Sequence, residues 1–238
     1  MRNLKKVIAV FVMVFVTTTA NAQVLISLLF GEALNTPKIE FGLAGGMSRS
    51  YINDISGSEG LNAFDLGFYF HINLMENSYL STGLRVKSSV GAKGMSTYPI
   101  GDADFDTLYQ DGALTKKIPS FYVPILWHQR FNNRWYVEAG PTLGLIYRAK
   151  DIFEVSELDG DLTYTKVVID EYQRIDAGLS GGVGYKFSKE IKSMSVGVTY
   201  YYGLVDVSKN PDVTIKNSAF YFFLKIPIGL KAKSESGS

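Results

Sequence analysis

His71 and His128 are the two imidazoles of the chain, and they are the first residues to weigh for proton transfer near neutral pH. A histidine working with a serine and an acidic partner would suit acyl transfer or hydrolysis on a lipid. Neither sits in a G-x-S-x-G or H-E-x-x-H spacing. With no cysteine, a thiolate nucleophile, a disulfide scaffold and an acylated lipoprotein cysteine are all excluded. Asp102-x-Asp104-x-Asp106 has the spacing that opens a calcium loop. Thr107 stands where the turn glycine belongs and Ala113 where the bidentate glutamate belongs. What remains is a looser cation site shared with Asp159 and Asp161, or a solvated acidic loop. Gly181-Gly182-x-Gly184 is followed by no Lys-Ser/Thr pair, so it does not cradle phosphate.

A second set of charges is more telling, because it falls on one face of alternating segments. Glu40, Asp65, Glu138 and Asp176 share that face with Arg85, Lys87, Arg130, Arg174 and Lys225. Alternate residues of a strand point to opposite sides. From Ser193 to Val205, Met194, Val196, Val198, Tyr200, Tyr202 and Leu204 oppose Ser193, Ser195, Gly197, Thr199, Tyr201 and Gly203. From Tyr172 to Phe187, Ile175, Ala177, Leu179 and Val183 oppose Arg174, Asp176, Gly178, Ser180 and Gly182. In Phe64 to Asn73, Phe64, Leu66, Phe68, Phe70 and Ile72 oppose Asp65, Gly67, Tyr69 and His71. Tyr79 to Ser89, Lys38 to Arg49, Ser120 to Phe131, Trp135 to Arg148 and Ser218 to Leu230 complete eight strands.

The elements that must hold these residues are therefore strands, and their number and links suggest closure. Eight is an even count, as an antiparallel membrane barrel requires. The connections 73–78, 132–133 and 188–192 are short, whereas 50–61, 90–119, 149–170 and 206–217 are long and polar. Short periplasmic turns and long external loops are the outer-membrane arrangement, which would put both termini in the periplasm. Trp135, Tyr136 and Phe131 flank one short turn, as an interfacial aromatic girdle would. A soluble β-sandwich also alternates, but here the polar face is rich in Gly and Ser and the apolar face is unbroken.

Arg2, Lys5 and Lys6, the apolar run from Val7 to Val16 and Ala20-Asn21-Ala22 form the three parts of a secretory signal peptide. Residues 1–22 are expected to be removed, leaving roughly 216 residues, compatible with one domain. The expected layout is a periplasmic segment at 23–37, a barrel at 38–231 and a polar tail at 232–238. Loss of three basic residues leaves acidic groups in slight excess, against a nucleic-acid partner. Fifteen Tyr, fifteen Phe and 23 Gly against seven Pro favour strands and turns.

Four stretches carry a family resemblance: Leu28-Leu29-Phe30-Gly31 with Ile39-Glu40-Phe41-Gly42-Leu43; Phe121-Tyr122-Val123-Pro124; Tyr136-Val137-Glu138-Ala139-Gly140-Pro141; and Ile175-Asp176-Ala177-Gly178-Leu179-Ser180-Gly181-Gly182. On these the chain resembles the PorT-like outer-membrane β-barrels of Bacteroidetes, related in architecture to the small OmpA- and OmpX-type barrels. It departs from many outer-membrane barrels by running past Leu230 into a polar tail instead of ending on an aromatic residue. The expectation is an all-β, eight-stranded antiparallel transmembrane barrel in the outer membrane, monomeric, without a cofactor, in contact with outer-membrane lipid and with other envelope proteins. An eight-stranded lumen is just wide enough for side chains to fill it, so its charges are expected to pair across it. The resulting function is a non-enzymatic barrel displaying loops for adhesion, ligand contact or envelope assembly. The alternatives are a conducting or secretion-associated component, with type IX secretion implied by the resemblance, and a lipid-modifying enzyme.

Overall fold

The computed structural model describes residues 36 and 38–228, apart from 54–56, 133, 158–159 and 191. The expected signal peptide, the segment 23–35 and the tail fall outside these residues. Eleven strands run in the order β1 (Ile39–Asn53), β2 (Glu59–Met75), β3 (Ser78–Lys87), β4 (Ser89–Ser96), β5 (Ala113–Phe131), β6 (Trp135–Ile146), β7 (Lys150–Glu157), β8 (Gly160–Val167), β9 (Ile175–Lys186), β10 (Ser195–Gly203) and β11 (Lys216–Pro227). Among the described residues, an α-helix, α1 (Ala103–Tyr109), lies between β4 and β5, and a single 3-10 turn (Ile169–Glu171) lies between β8 and β9.

Eight of the strands close on themselves. β1 pairs with β2 and with β11, and the ring continues through β10, β9, β6, β5 and β3 back to β2, antiparallel throughout. These are the eight segments legible in the sequence. Tight turns join β2 to β3 and β5 to β6. In the second, Asn132 takes a positive φ of 48°, a conformation asparagine tolerates better than most residues. The end of the ring that carries these links is called here the short-turn end.

The opposite end differs from expectation. The long polar connections fold into a second sheet, in which β4 and β7 flank the first half of β5 and β8 pairs on the far side of β7. Strand β5 thus runs through both sheets. Polar composition hid these strands because a sheet standing in water carries polar residues on its exposed side.

The two sheets bury opposite faces. On β9, Ile175 and Leu179 are 63% and 54% exposed, while the residues that follow each, Asp176 and Ser180, are 0% and 3% exposed. Val123, Ile125 and Trp127 on β5, Leu143 and Leu145 on β6, and Phe220 and Phe222 on β11 continue this apolar outer belt. At the other end, Val90, Leu114, Ile118, Tyr122, Ile146, Phe153, Tyr201 and Ala219 join one buried apolar cluster. It links ring strands on opposite sides of the mouth to the projecting sheet. Aromatic pairs ring the belt, with Trp135 and Tyr185 at 5.0 Å near the short-turn end and Phe121 with Tyr147, and Tyr200 with Phe220, at 4.6 Å nearer the sheet.

Candidate functional site

The lumen contains two polar clusters. Close to the short-turn end, β1 brings in Glu40, β2 Tyr69 and His71, β5 His128, β6 Glu138, β9 Lys186 and β11 Lys225, all buried. Lys225 Nζ donates to Glu138 Oε1 at 2.7 Å and lies 3.3 Å from His71 Nε2. His128 Nδ1 is 2.9 Å from the same carboxylate oxygen. Glu40 accepts from Tyr69 at 2.8 Å and from Lys186 at 3.3 Å, with His71 Nδ1 3.5 Å away. Two carboxylates thus meet two ammonium groups, and His71 lies between the carboxylates, with Nδ1 toward Glu40 and Nε2 toward Glu138, while His128 meets Glu138 alone. Arg130 stands beside this cluster, donating to the Tyr79 hydroxyl at 3.1 Å and to the Glu190 carbonyl at 3.2 Å.

His71, His128 and Glu138 offer three metal-ligating atoms within 4.8 Å of one another. The Lys225 ammonium stands where an ion bridging His71 and Glu138 would sit. A second cation there would meet like charge, so the geometry is that of an internal ion-pair network. Among the described residues the imidazoles are engaged by Glu40, Glu138 and Lys225.

Toward the sheet end, Asp176 is held by neutral donors. Tyr201 donates to one carboxylate oxygen at 2.6 Å, and Tyr122 and Asn217 donate to the other at 3.0 Å each. Thr142 and Ser180 bond each other at 2.7 Å alongside. Glycines make the lumen wide enough for the tyrosines. A Cβ on Gly144 would lie 2.7 Å from the Tyr122 ring, and one on Gly184 would overlap the Tyr136 ring.

Of the nine charged residues expected in the lumen, seven point into it: Glu40, Asp65, Arg85, Arg130, Glu138, Asp176 and Lys225. Lys87 does not. The β2–β3 register slips between Leu66 paired with Lys87 and Gly67 paired with Arg85, so Val86 is an extra residue and parity reverses beyond it. Lys87 is exposed and lies 5.3 Å over the Phe64 ring on the outer wall. Arg174 is also outside the network. It precedes β9 and is exposed, and the Asp176 oxygens are already taken by Tyr122, Tyr201 and Asn217. Lys186, Tyr69, Tyr201 and Asn217 join these charges in the network. Lys186 stands ten residues after Asp176 on the same strand and so shares its inward parity, whereas the tyrosines and Asn217 carry no charge.

In the acidic loop, three of the carboxylates hold neighbouring groups of the chain. Asp102 caps α1 by accepting from the backbone of Asp104 and Phe105 at 3.1 and 3.3 Å, and Asp106 accepts from the Ile100 backbone. Asp161 accepts from Ser156 at 2.7 Å, and Asp159 lies outside the described residues. Within the projecting sheet, the buried Asp151 takes Lys116 at 2.7 Å and the Tyr98 hydroxyl at 2.8 Å. Burial, and next the bond to Asp151, hold the Tyr98 phenol above its ordinary value.

A closed ring of eight antiparallel strands, polar within and apolar without, defines the class: a small outer-membrane barrel. The chain belongs to the outer membrane protein beta-barrel domain family, whose sequence model matches residues 22–209. Solved structures that it resembles include Ail, the attachment invasion locus protein of Yersinia pestis, in complex with a heparin analogue, at 11% identity and a TM-score of 0.43, covering 80% of this chain and 99% of that one. Neisserial surface protein A matches at 8% identity and 0.39, over 79% and 96% of the two chains. OprG from Pseudomonas aeruginosa matches at 10% and 0.35, over 80% and 93%. No curated protein matches. The family assignment rests on the sequence model and agrees with the closed ring.

Proposed function

We propose that this is a non-enzymatic, monomeric outer-membrane barrel whose filled lumen serves as a rigid stalk and whose projecting sheet contacts a ligand or another envelope protein outside the cell. The observation that carries this reading is the apolar cluster running from the ring mouth into the second sheet. It closes the mouth against ions and fixes the sheet to the stalk. The termini and the short turns then face the periplasm. Among the described residues, β8 pairs with β7 alone, which leaves its outer edge with backbone donors and acceptors of the kind an extended partner segment takes up.

The test combines three readouts. Planar-bilayer recordings should show no steady conductance. Protease added to whole cells should cut within 102–111 or 157–161 before the outer membrane is opened. Crosslinking on intact cells should trap a partner through β8, and Thr163→Pro with Thr165→Pro should abolish that capture while leaving the barrel folded. Stable ion-selective channels would replace this reading with transport. The narrower kinship with the PorT-like barrels of Bacteroidetes, and any secretion role it brings, rests on the four sequence stretches quoted above.

A further inference from the structure

The segment between β4 and β5 folds against the projecting sheet and leaves a cavity of about 370 Å³ between residues 97–100 and α1. Its frame is fixed at several points. Thr97 Oγ1 donates to the Tyr109 carbonyl at 2.9 Å, the Ile100 amide donates to Asp106, and the Tyr98 hydroxyl donates to the buried Asp151 at 2.8 Å. Tyr109 is 5% exposed, and the Tyr98 and Tyr109 rings pack against Phe153 with centres 5.2 and 6.2 Å away. The cavity is therefore built into the fold, as small-molecule pockets usually are.

Its lining divides into two kinds of surface. Tyr98, Pro99, Ile100 and Tyr109 contribute apolar area, while Asp106, Thr107 and Gln110 contribute a carboxylate, a hydroxyl and a carboxamide. Asp106 and Gln110 stand four residues apart, in α1 and at its C-cap, and so share one face of the helix. Asp106 gives one oxygen to the Ile100 amide and keeps the other. Gln110 meets Thr97 through its backbone carbonyl, which leaves its carboxamide available. A carboxylate oxygen beside a carboxamide can accept from one hydroxyl and donate to the next.

The same groups exclude other ligands. Among the described residues no Lys, Arg or His lines the cavity, so an anion would meet the Asp106 carboxylate and no counter-charge. Calcium or magnesium takes about six oxygen ligands, usually with several carboxylates, and the lining holds a single carboxylate. An organic ammonium would need the tyrosine faces, yet Nζ of Lys116 and of Lys166 already lie 5.7 and 5.2 Å from the centre of the Tyr98 ring and would repel it. A hydrocarbon would cover Asp106 and Gln110 without pairing them. A neutral ring with hydroxyls on its edge and C–H groups on its face satisfies both surfaces. The volume suits it, lying at the low end of the roughly 300–1,000 Å³ of small-molecule pockets. We infer that this cavity binds one neutral saccharide unit, free or at the end of a glycan, with its hydroxyls on Asp106 and Gln110 and its apolar face along Tyr98, Pro99 and Ile100. That the sugar is met outside the cell rests on the orientation proposed above, whereas the site itself does not.

Saturation-transfer NMR on the full-length barrel, in a zwitterionic detergent without sugar headgroups, tests the site with the methyl glycosides of glucose, galactose, mannose, rhamnose and N-acetylglucosamine. At least one glycoside should receive saturation, and Gln110→Ala should weaken its binding about tenfold. Thr107→Trp, at an exposed position that fills the cavity from α1, should abolish it while the fast-migrating form on an unheated gel persists. No transfer to any of these glycosides, or transfer untouched by both substitutions, would overturn the site. Tighter binding of methyl glucuronide or of choline would overturn the neutral ligand. A neoglycoprotein carrying the same sugar should also bind the purified barrel if the ligand is a glycan end, and binding of the methyl glycoside alone would support the site with a free sugar. On intact cells the probe that binds should be competed by its methyl glycoside. Binding only after the outer membrane is opened would leave the saccharide site standing and overturn the external placement.

Discussion

The two halves of β5 are one continuous strand in two solvents. From Ala113 to Pro119 it belongs to the projecting sheet, where Leu114 and Ile118 are buried. From Ser120 to Phe131 it is barrel wall, where Val123, Ile125 and Trp127 face outward and His128 and Arg130 are buried. The inversion shows that burial alone does not say which face of a strand is apolar. The medium beyond the wall decides, because lipid solvates hydrocarbon while an eight-stranded lumen excludes bulk water and demands that every polar group be paired.

The largest expected effect comes from the ion-pair network. Glu138→Ala leaves Lys225 buried without its carboxylate, and breaking such a pair costs about 3–5 kcal/mol. The temperature at which the fast-migrating form on an unheated gel is lost should fall sharply, and an unchanged value would mean that water reaches the cluster. Lys225→Met should fall similarly, but here the two histidines and Glu138 are freed to take a transition metal. Micromolar Zn²⁺ should raise the midpoint of that variant and leave the unaltered protein where it was.

The comparison of solvents is tested directly by two exposed leucines. Leu179 on the wall and Leu162 on the sheet are 54% and 43% exposed. An arginine on a lipid-facing wall costs about 2–4 kcal/mol near the midplane, whereas a surface change in water stays within about 0.5 kcal/mol. Refolding titrations into lipid vesicles should therefore separate Leu179→Arg from Leu162→Arg. Equal effects would place the belt in water.

A smaller loss is expected for Asp176→Ala, about 1–3 kcal/mol, since the partners left behind are neutral donors. Removing Tyr201 should partly relieve it, whereas removing Arg174, which is exposed, should not. The smallest effect concerns pH and the sheet alone. The Tyr98 phenol is held above its ordinary value in the folded chain, so the folded state keeps a proton that the unfolded state gives up. The associated stability is present below about pH 10 and falls as pH rises past it. Protease cutting of the sheet should increase above that pH, and Tyr98→Phe should flatten the rise.

Much of this was legible in the residues. Period two over Phe64 to Asn73 and over Tyr172 to Phe187 is a local property of the backbone, and it gave both the strands and the inward set. The projecting sheet was not legible, since β7 and β8 carry charges and threonines that read equally well as solvated loop. Their pairing depends on β5 rising past the ring, a non-local fact. Asp102 had a local signal as a helix cap, but its spacing with Asp104 and Asp106 drew attention to cations instead.

What the sequence determined by itself is the wall: which residues alternate, how many times the chain crosses, and that an apolar face must meet lipid. Only the tertiary structure decided who meets whom across the lumen. A single inserted residue at Val86 turned Lys87 from the lumen to the outer surface. The closure of β1 on β11 set Lys225 against Glu138, and not Arg174 but Tyr122, Tyr201 and Asn217 against Asp176. Partners on opposite walls are joined by the stagger of a closed ring, and that stagger is the summed result of every register in the sheet, which no single segment encodes.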